Sequence, residues 1–130
     1  MKPNDIPKEL NSLGDHLKKK RLTLQLFQKG GSLRLGISEC TYHNWETNKT
    51  EPIISMFPRI IEFLGYYPFP EPKTLGERIL AYRRKNGLSL FRMAKTLGVD
   101  ESTLSRWEKG EVCPNSMHAY RLNKIVEPST

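Results

Sequence analysis

The sequence predicts an all-α fold of two tandem helical domains, and three observations lead to this prediction. Apolar residues recur at helical spacing between short interruptions by glycine or proline, and no stretch alternates apolar and polar residues as a half-buried strand does. The chain also repeats itself at an offset of 62 residues, because Ser12 to Pro52 aligns with Thr74 to Pro114 without a gap. Residues 65–72 between the copies are rich in proline, which favours a short, semi-rigid spacer.

The first copy begins with two predicted helices. Helix one spans about Ser12 to Leu22, and helix two should hold Gln28 to Leu35. Helix two contains Gly30 and Gly31, and each glycine costs about 1 kcal/mol relative to alanine. Gly31 aligns with Met93 of the second copy, so the first copy lacks a core side chain at this position.

The third helix of the first copy is predicted to be capped by Ser38 and to turn Tyr42 and Trp45 inward. The segment Ile53 to Leu64 that follows is unusually apolar. Because Pro58 fits only the first turn of a helix, a new helix should begin there.

The second copy follows the same plan. Thr74 to Glu77 fits a capping box and opens a helix that runs to about Lys85, and a second helix covers residues 89–97, capped by the serine at its start. Gly98 then supplies the positive φ that ends this helix, and Asp100 should cap the third helix with its carboxylate.

Each copy is expected to contain five helices, and a fourth and a fifth short helix should end the second copy. The predicted boundaries are a flexible N-terminus (1–11), a first domain (12–65), a Pro-rich linker (66–73), a second domain (74–126) and a C-terminal tail (127–130).

Composition excludes several classes of protein. No apolar run approaches membrane-spanning length and no signal peptide is visible, so we expect a cytoplasmic chain. Cys40 and Cys113 lie far apart without a CxxC pattern, which argues against zinc and against a disulfide scaffold. His16, His43 and His118 are scattered at unrelated offsets and are interpreted as plain surface or boundary residues.

The charge predicts a polyanionic partner. The chain has 21 Lys and Arg against 14 Asp and Glu, a formal net charge of +7. Both halves are basic, with 11 basic and 8 acidic residues up to Lys73 and 10 and 6 after it. A merely solvated surface is the alternative explanation of this excess.

The stretch Leu97 to Glu108 carries the strongest local signal, a tight turn that feeds an amphipathic helix. Leu104 and Trp107 fall on one buried face, which leaves a short polar face outward. This stretch has a counterpart at Leu35 to Glu46, so it occurs twice. Identities between the copies include Leu13, Gly14, Arg21, Leu35, Gly36, Glu39, Thr41, Trp45, Glu46 and Pro52, which match Leu75, Gly76, Arg83, Leu97, Gly98, Glu101, Thr103, Trp107, Glu108 and Pro114.

Both copies resemble the Cro/C1-type (XRE-like) helix-turn-helix domain of bacterial and phage repressors, a lambda-repressor-like fold. The resemblance covers about Ser12 to Leu64 and Thr74 to Val126, and the second copy is the stronger match. It implies that double-stranded DNA is the partner, read in the major groove by helices near 39–47 and 101–109. The residues that carry it in the second copy are Leu88-Ser89, Ala94, Leu97-Gly98-Val99 and Trp107-Glu108-Lys109-Gly110.

The resemblance also implies which residues contact DNA. Base contacts in such domains come from the first two residues of the third helix and from one a turn later. Arg106 suits guanine and Asn44 suits adenine, whereas the glutamates either accept from cytosine or only stabilise a helix start. The implied base readers are Glu101, Ser102 and Arg106 in the second copy and Glu39, Cys40 and Asn44 in the first.

Phosphate contacts are implied for Thr41 and Thr103. Gln28 fills the place of the family's phosphate-clamping glutamine, but the second copy has Leu90 there, so Ser89 and exposed backbone amides are expected to substitute in part. Candidate positive neighbours, with surface solubility as their alternative role, are Lys49, Arg92 and Lys95.

Two further pairs look structural. The resemblance implies that Arg21 with Glu46, and Arg83 with Glu108, form ion pairs that tie helix one to the end of helix three. Both tryptophans are expected in the core.

These observations predict a repressor-like, sequence-specific DNA-binding regulator that has no enzymatic activity and no cofactor, acts away from membranes and is associated with a bacterial or phage-like nucleoid. A homodimer is possible. The alternative is an antitoxin-like or partner-binding protein in which one repeat serves protein contacts, an option left open by the glycines of helix two and the apolar segment 53–64. No catalytic or metal-ligand constellation appears at workable spacing.

Overall fold

The computed structural model describes Pro7 and residues 9–126 of the chain, and within them the structure is helical without strands. The chain divides into two compact units between Phe69 and Pro70. Of the predicted N-terminal segment only Pro7 and residues 9–11 are described, and the predicted tail 127–130 lies outside the described residues. The helices are α1 (Leu13–Thr23), α2 (Gln28–Leu35), α3 (Glu39–Glu46), α4 (Phe57–Leu64), α5 (Leu75–Asn86), α6 (Leu90–Leu97), α7 (Glu101–Glu108) and α8 (Ser116–Val126).

The all-α prediction is confirmed, and the prediction of five helices holds for the described residues of the first unit, which has four α-helices and a short 3-10 helix, Ile54–Met56, before α4. It is wrong for the described residues of the second unit, which has four helices. Pro58 lies in the first turn of α4, as predicted. After Pro114 a single helix, α8, runs through the region predicted to hold two, since neither glycine nor proline interrupts it.

Hydroxyl side chains cap four of the eight α-helices in the described part of the chain, and three of these caps were predicted. Ser38 Oγ accepts a hydrogen bond from the Thr41 N–H at 3.0 Å, and Thr74 and Ser89 cap α5 and α6 in the same way. The prediction is wrong for Asp100, which occupies the N-cap position of α7 without a side-chain capping bond. The Asp100 residue is exposed, so its carboxylate stays with solvent instead.

Each unit has its own hydrophobic core. Trp45 and Trp107 are both 6% exposed, which confirms the prediction that the tryptophans are core residues. The buried cluster of the first unit is Leu17, Leu35, Tyr42, Trp45, Ile60 and Leu64. The buried cluster of the second unit is Ile79, Met93, Ala94, Leu97, Leu104, Trp107, Leu122 and Val126.

The core side chain missing at Gly31 is replaced by a larger one on the next helix. A Cβ at Gly31 would lie 2.8 Å from Tyr42 Cζ, so the tyrosine ring fills the space that the glycine leaves. Tyr42 is fully buried, and its hydroxyl donates to the Leu17 carbonyl at 3.1 Å. In the second unit Met93 aligns with Gly31 and Leu104 aligns with Tyr42, so the side chain on the second helix is larger there and the one on the third helix is smaller.

This exchange of volume predicts a strong coupling between positions 31 and 42. Gly31→Met alone overpacks the core and Tyr42→Leu alone leaves a cavity, so each is expected to lower the free energy of unfolding by about 1–3 kcal/mol. The double variant should lose less than the sum by about 0.5–3 kcal/mol. Hydrogen exchange of the α1–α4 amides measures the effect, with the α5–α8 amides as internal control; strictly additive losses would contradict the exchange.

Candidate nucleic-acid interface

In the second unit a left-handed glycine sets the angle between α6 and α7. Gly98 has φ +74°, and the next amide, that of Val99, returns to the Ala94 carbonyl at 3.0 Å. Val99 is half-buried against the core of the unit. A residue with a Cβ would be strained at this φ, so Gly98 fixes how α7 leaves the turn.

The outward face of α7 is polar. Leu104 is fully buried and Trp107 nearly so, which places the opposite face of the helix toward solvent. Glu101, Ser102 and Arg106 are exposed, and Thr103 is half-buried beside them. The candidate base readers of this unit therefore share one accessible face, and Glu101 lies in the first turn where the helix dipole favours its charge.

The first unit repeats this arrangement with different side chains. Gly36 takes φ +70° between α2 and α3, and Glu39 and Cys40 are exposed in the first turn of α3. Asn44 is half-buried one turn later, with its Nδ2 4.0 Å from Cys40 Sγ.

An ion pair anchors the C-terminal end of α3 to α1. Arg21 Nη2 and Nε donate to the two carboxylate oxygens of Glu46 at 2.7 and 2.9 Å, and both residues are buried. Arg21 Nη1 also donates to the Leu26 carbonyl at 3.0 Å, in the loop before α2. One guanidinium group therefore joins α1, the loop and α3.

The second unit has the same anchor with a different hydrogen-bond geometry. Arg83 Nη1 donates to both carboxylate oxygens of Glu108, at 2.7 and 2.8 Å, and Arg83 Nε donates to the Leu88 carbonyl at 3.2 Å. Both ion pairs expected from the family resemblance are thus confirmed.

A glycine on the first helix brings these helices into close contact. A Cβ at Gly14 would collide with the Glu46 carbonyl oxygen, and one at Gly76 would collide with that of Glu108. In the first unit Asn48 strengthens this junction, because its side-chain oxygen accepts from the Gly14 N–H at 3.2 Å.

Comparison with protein families matches residues 79–125 to the Helix-turn-helix family. Residues 79–125 form a Cro/C1-type helix-turn-helix domain. This domain contains α6, the Gly98 turn and α7.

One relative supports the match. The chain is 39% identical over 57 residues to the HTH-type transcriptional regulator DicA of Escherichia coli (strain K12). The similarity covers 43% of this chain and 42% of that relative. Comparison with solved structures gives no match.

Outside the Cro/C1-type domain, the first unit orients its candidate phosphate clamp through neighbouring side chains. Gln28, half-buried at the start of α2, donates from Nε2 to Glu46 Oε1 at 3.3 Å, and its Oε1 lies 3.2 Å from His43 Nδ1. The Arg21–Glu46 anchor therefore extends to the exposed surface through Gln28 and His43.

His43 is exposed and His16 and His118 are half-buried, which agrees with their interpretation as surface or boundary residues. Each still has a neighbour: His43 Nδ1 lies 3.2 Å from Gln28 Oε1, His16 Nδ1 lies 2.7 Å from the Tyr66 hydroxyl, and the His118 ring lies 5.3 Å from the Trp107 ring at a tilt of 45°. The contacts of His43 and Asn48 beside the candidate site were not predicted. For His43, a ring on the helix next to Asn44 was the available signal, and for Asn48, its alignment with Gly110, since both positions take positive φ.

The Cro/C1-type domain has no such network at its clamp position. Leu90 packs against the hydrophobic core, and Ser89 Oγ is occupied as the cap of α6, accepting from the Arg92 N–H at 3.1 Å. Thr41 of the first unit is similarly bonded, since it accepts at Oγ1 from Ser38 Oγ at 2.8 Å. The candidate cations Lys49, Arg92 and Lys95 are all exposed.

Neither a metal centre nor a membrane span emerges from the described part of the chain. Among Pro7 and residues 9–126, no three His, Cys, Asp or Glu side chains group closely enough to hold a metal ion. Within the same residues no helix has the length and apolar character needed to cross a bilayer.

The anchor makes the stability of the first unit depend on pH. Burial of Glu46 disfavours its ionised form, but the hydrogen bonds and charge of Arg21, with Gln28, outweigh burial and hold the pKa of Glu46 below its ordinary value of 4.5. A folded-state pKa that is lower than the unfolded one adds stability above about pH 4.5, and this stability is lost as the pH falls below that value.

Glu46→Gln tests this dependence. It should lower the free energy of unfolding at neutral pH by about 3–5 kcal/mol, because Arg21 is left buried without its counter-charge. It should also reduce the fall in stability below pH 4.5, since the titrating carboxylate is gone. Urea unfolding between about pH 3 and pH 7 measures both effects. Glu51→Gln, at an exposed carboxylate outside the helices, should keep the original profile. If the stability of Glu46→Gln fell with decreasing pH as steeply as that of the parent chain, Glu46 would not be the source of the pH dependence.

Proposed function

We propose that this protein is a sequence-specific, repressor-like DNA-binding transcriptional regulator without enzymatic activity or cofactor. The observation that carries the proposal is the exposed polar turn of α7, presented by the Gly98 turn within the helix-turn-helix domain of residues 79–125. An eight-residue helix in such a turn fits the major groove, which is about 12 Å wide. The chain's net charge of +7 favours a polyanionic partner.

We assign base readout to the exposed side chains of α7. Arg106 donates two hydrogen bonds to guanine O6 and N7, and Ser102 reads a neighbouring base edge. Thr103 contacts a phosphate. Glu101 either accepts a hydrogen bond from cytosine or only stabilises the N-terminus of α7 through the helix dipole.

The proposal extends to the first unit, which we take as a second helix-turn-helix domain joined to the first by the Pro-rich linker. Its support is the gapless repeat, the left-handed Gly36 and the shared anchor of Arg21 with Glu46. Asn44 would read adenine, with Glu39 and Cys40 in the first turn of α3 as further base contacts. Thr41 and Lys49 would contact phosphates.

The two units should differ in the number of hydrogen bonds that they donate to DNA phosphates. Gln28 uses one Nε2 hydrogen for Glu46, and the second hydrogen remains for a phosphate oxygen. In the second unit Leu90 has no polar group to offer, so the Ser89 hydroxyl, whose O–H can still donate, and exposed backbone amides substitute only in part.

The relative supports a regulatory role. DicA is named as an HTH-type transcriptional regulator, and its similarity to this chain covers 42% of its length. Operation in the bacterial cytoplasm, on nucleoid DNA and as a monomer or a homodimer, belongs to the same proposal.

Selection of random duplexes with the purified chain tests the proposed function. The chain should enrich a defined site, and Arg106→Ala should bind this site about 5–100-fold more weakly while relaxing preference at one base pair. Arg121→Ala, at an exposed arginine of α8, should bind as the parent chain does. Enrichment of nothing beyond salt-sensitive, sequence-independent binding would refute specific readout.

Exchanging the clamp residues tests the phosphate contact. Gln28→Leu should weaken binding to cognate and unrelated duplexes by the same factor, about 2–10-fold, because one neutral hydrogen bond to the backbone is lost. The reciprocal Leu90→Gln should strengthen both. Fluorescence anisotropy on the two duplexes measures the affinities, and a loss confined to the cognate duplex would assign Gln28 to base readout instead.

A further inference from the structure

We propose that the first unit carries a docking groove for an acidic protein segment that presents a large apolar side chain. The groove encloses about 560 Å³ between the end of α1, the C-terminal half of α2 and α4. Its apolar side chains include Leu24, Leu33 and Phe63, and its basic ones are Lys20, Arg34 and Arg59.

The apolar surface of this groove is exposed to solvent. Leu33 is 71% exposed and Leu24 is 38% exposed, although both are large aliphatic residues. The aligned positions of the second unit are Lys95 and Asn86, which are exposed polar residues of the usual kind. The same structural positions thus carry apolar residues in one unit and polar residues in the other, so the fold does not require an apolar residue at either of them.

The charge of the groove also differs between the units. Lys20 and Arg34 align with Tyr82 and Thr96, so two of the three basic side chains occur in the first unit alone. Glu62 is the one acidic side chain in the lining, which leaves the rim net positive. An occupant that brings carboxylates to this rim and an apolar side chain to Leu33 complements both features.

Other occupants fit less well. DNA would match the basic rim but would leave Leu24 and Leu33 against a charged, hydrated backbone. A second copy packed symmetrically would bring Lys20, Arg34 and Arg59 against their own equivalents, and like charges at close range are unfavourable. The groove also lies toward the C-terminal end of α2, whereas the candidate phosphate clamp Gln28 starts that helix.

Two sequence features suggested a protein partner, the apolar segment 53–64 and the glycines of helix two, and internal packing accounts for much of both. Most of the apolar segment 53–64 is used internally, since Phe57, Ile60 and Leu64 are buried. The glycine at position 31 of α2 is explained by the Tyr42 ring. The large apolar residues of this unit that stay exposed include Leu24, Phe27, Leu33 and Ile53, and of these Leu24 and Leu33 line the groove.

Selection from a phage-displayed library of random peptides on the full chain tests the proposal. Leu33→Lys, which installs the residue found at position 95, is kept out of the selection and serves in the binding measurements. We expect enrichment of peptides that combine carboxylates with a leucine, phenylalanine or similar residue.

Fluorescence anisotropy then measures the affinity of an enriched peptide. Leu33→Lys and Leu24→Asn should each weaken binding by about tenfold or more. Arg59→Ala, which leaves Leu24 and Leu33 in place, should also weaken peptide binding. The loss of affinity caused by Arg59→Ala should be smaller at high salt, because salt screens the attraction between charges. Phe91→Lys, at another exposed apolar residue, should have no effect. Circular dichroism checks that each variant folds.

Several results would overturn the proposal. Absence of enrichment, enrichment of basic or purely polar peptides, or equal binding to Leu33→Lys would each do so. A dimer in sedimentation that Leu33→Lys dissociates would assign the groove to a second copy. A loss of duplex DNA affinity in Leu33→Lys equal to that of Arg106→Ala would assign it to DNA. Failure of the DNA experiments alone would leave the groove result standing, because peptide binding is measured without DNA.

Discussion

The arginine–glutamate anchor is the interaction on which each unit depends. Helices of eight residues are marginal alone, so α3 and α7 need tertiary contacts to hold their direction. Arg21 satisfies a buried carboxylate of α3 and a loop carbonyl before α2 at the same time, and Arg83 does the same for α7. Because the first helix carries the arginine, its position fixes both helices of the turn.

This anchor leaves the rest of each unit free to diverge. Gly31 and Tyr42 stand where the second unit has Met93 and Leu104, and Asn48 takes the left-handed position that a glycine fills in the second unit. Both units keep the left-handed glycine before the third helix and the arginine–glutamate pair, while surfaces away from the anchor carry different chemistry. The network of Gln28 with His43 occurs in the first unit, and a core-packed Leu90 stands in the second.

Many of the helix ends and turns could be predicted from the sequence, because they depend on the preferences of single residues for capping and for positive φ. Ser38 and Ser89 cap as their positions indicate, and Gly36 and Gly98 take the positive φ expected of a helix end. The failures have tertiary or solvent causes. Asp100 stands at a cap position but stays exposed, and α8 runs on where two helices were expected, since no local breaker ends it. The contact of His43 with Gln28 could not be predicted from local rules, because the two residues lie fifteen positions apart.

The groove shows why an exposed apolar residue is informative only by comparison. A single exposed leucine is ordinary on a protein surface, and the helical pattern of α2 gives no reason to single out Leu33. The internal repeat supplies the comparison, because the same backbone position in the second unit carries Lys95. Residues that are alike in both units, such as Gly36 with Gly98 and Arg21 with Arg83, maintain the turn, whereas Leu24 and Leu33 differ from their equivalents and are the positions on which the proposed groove depends.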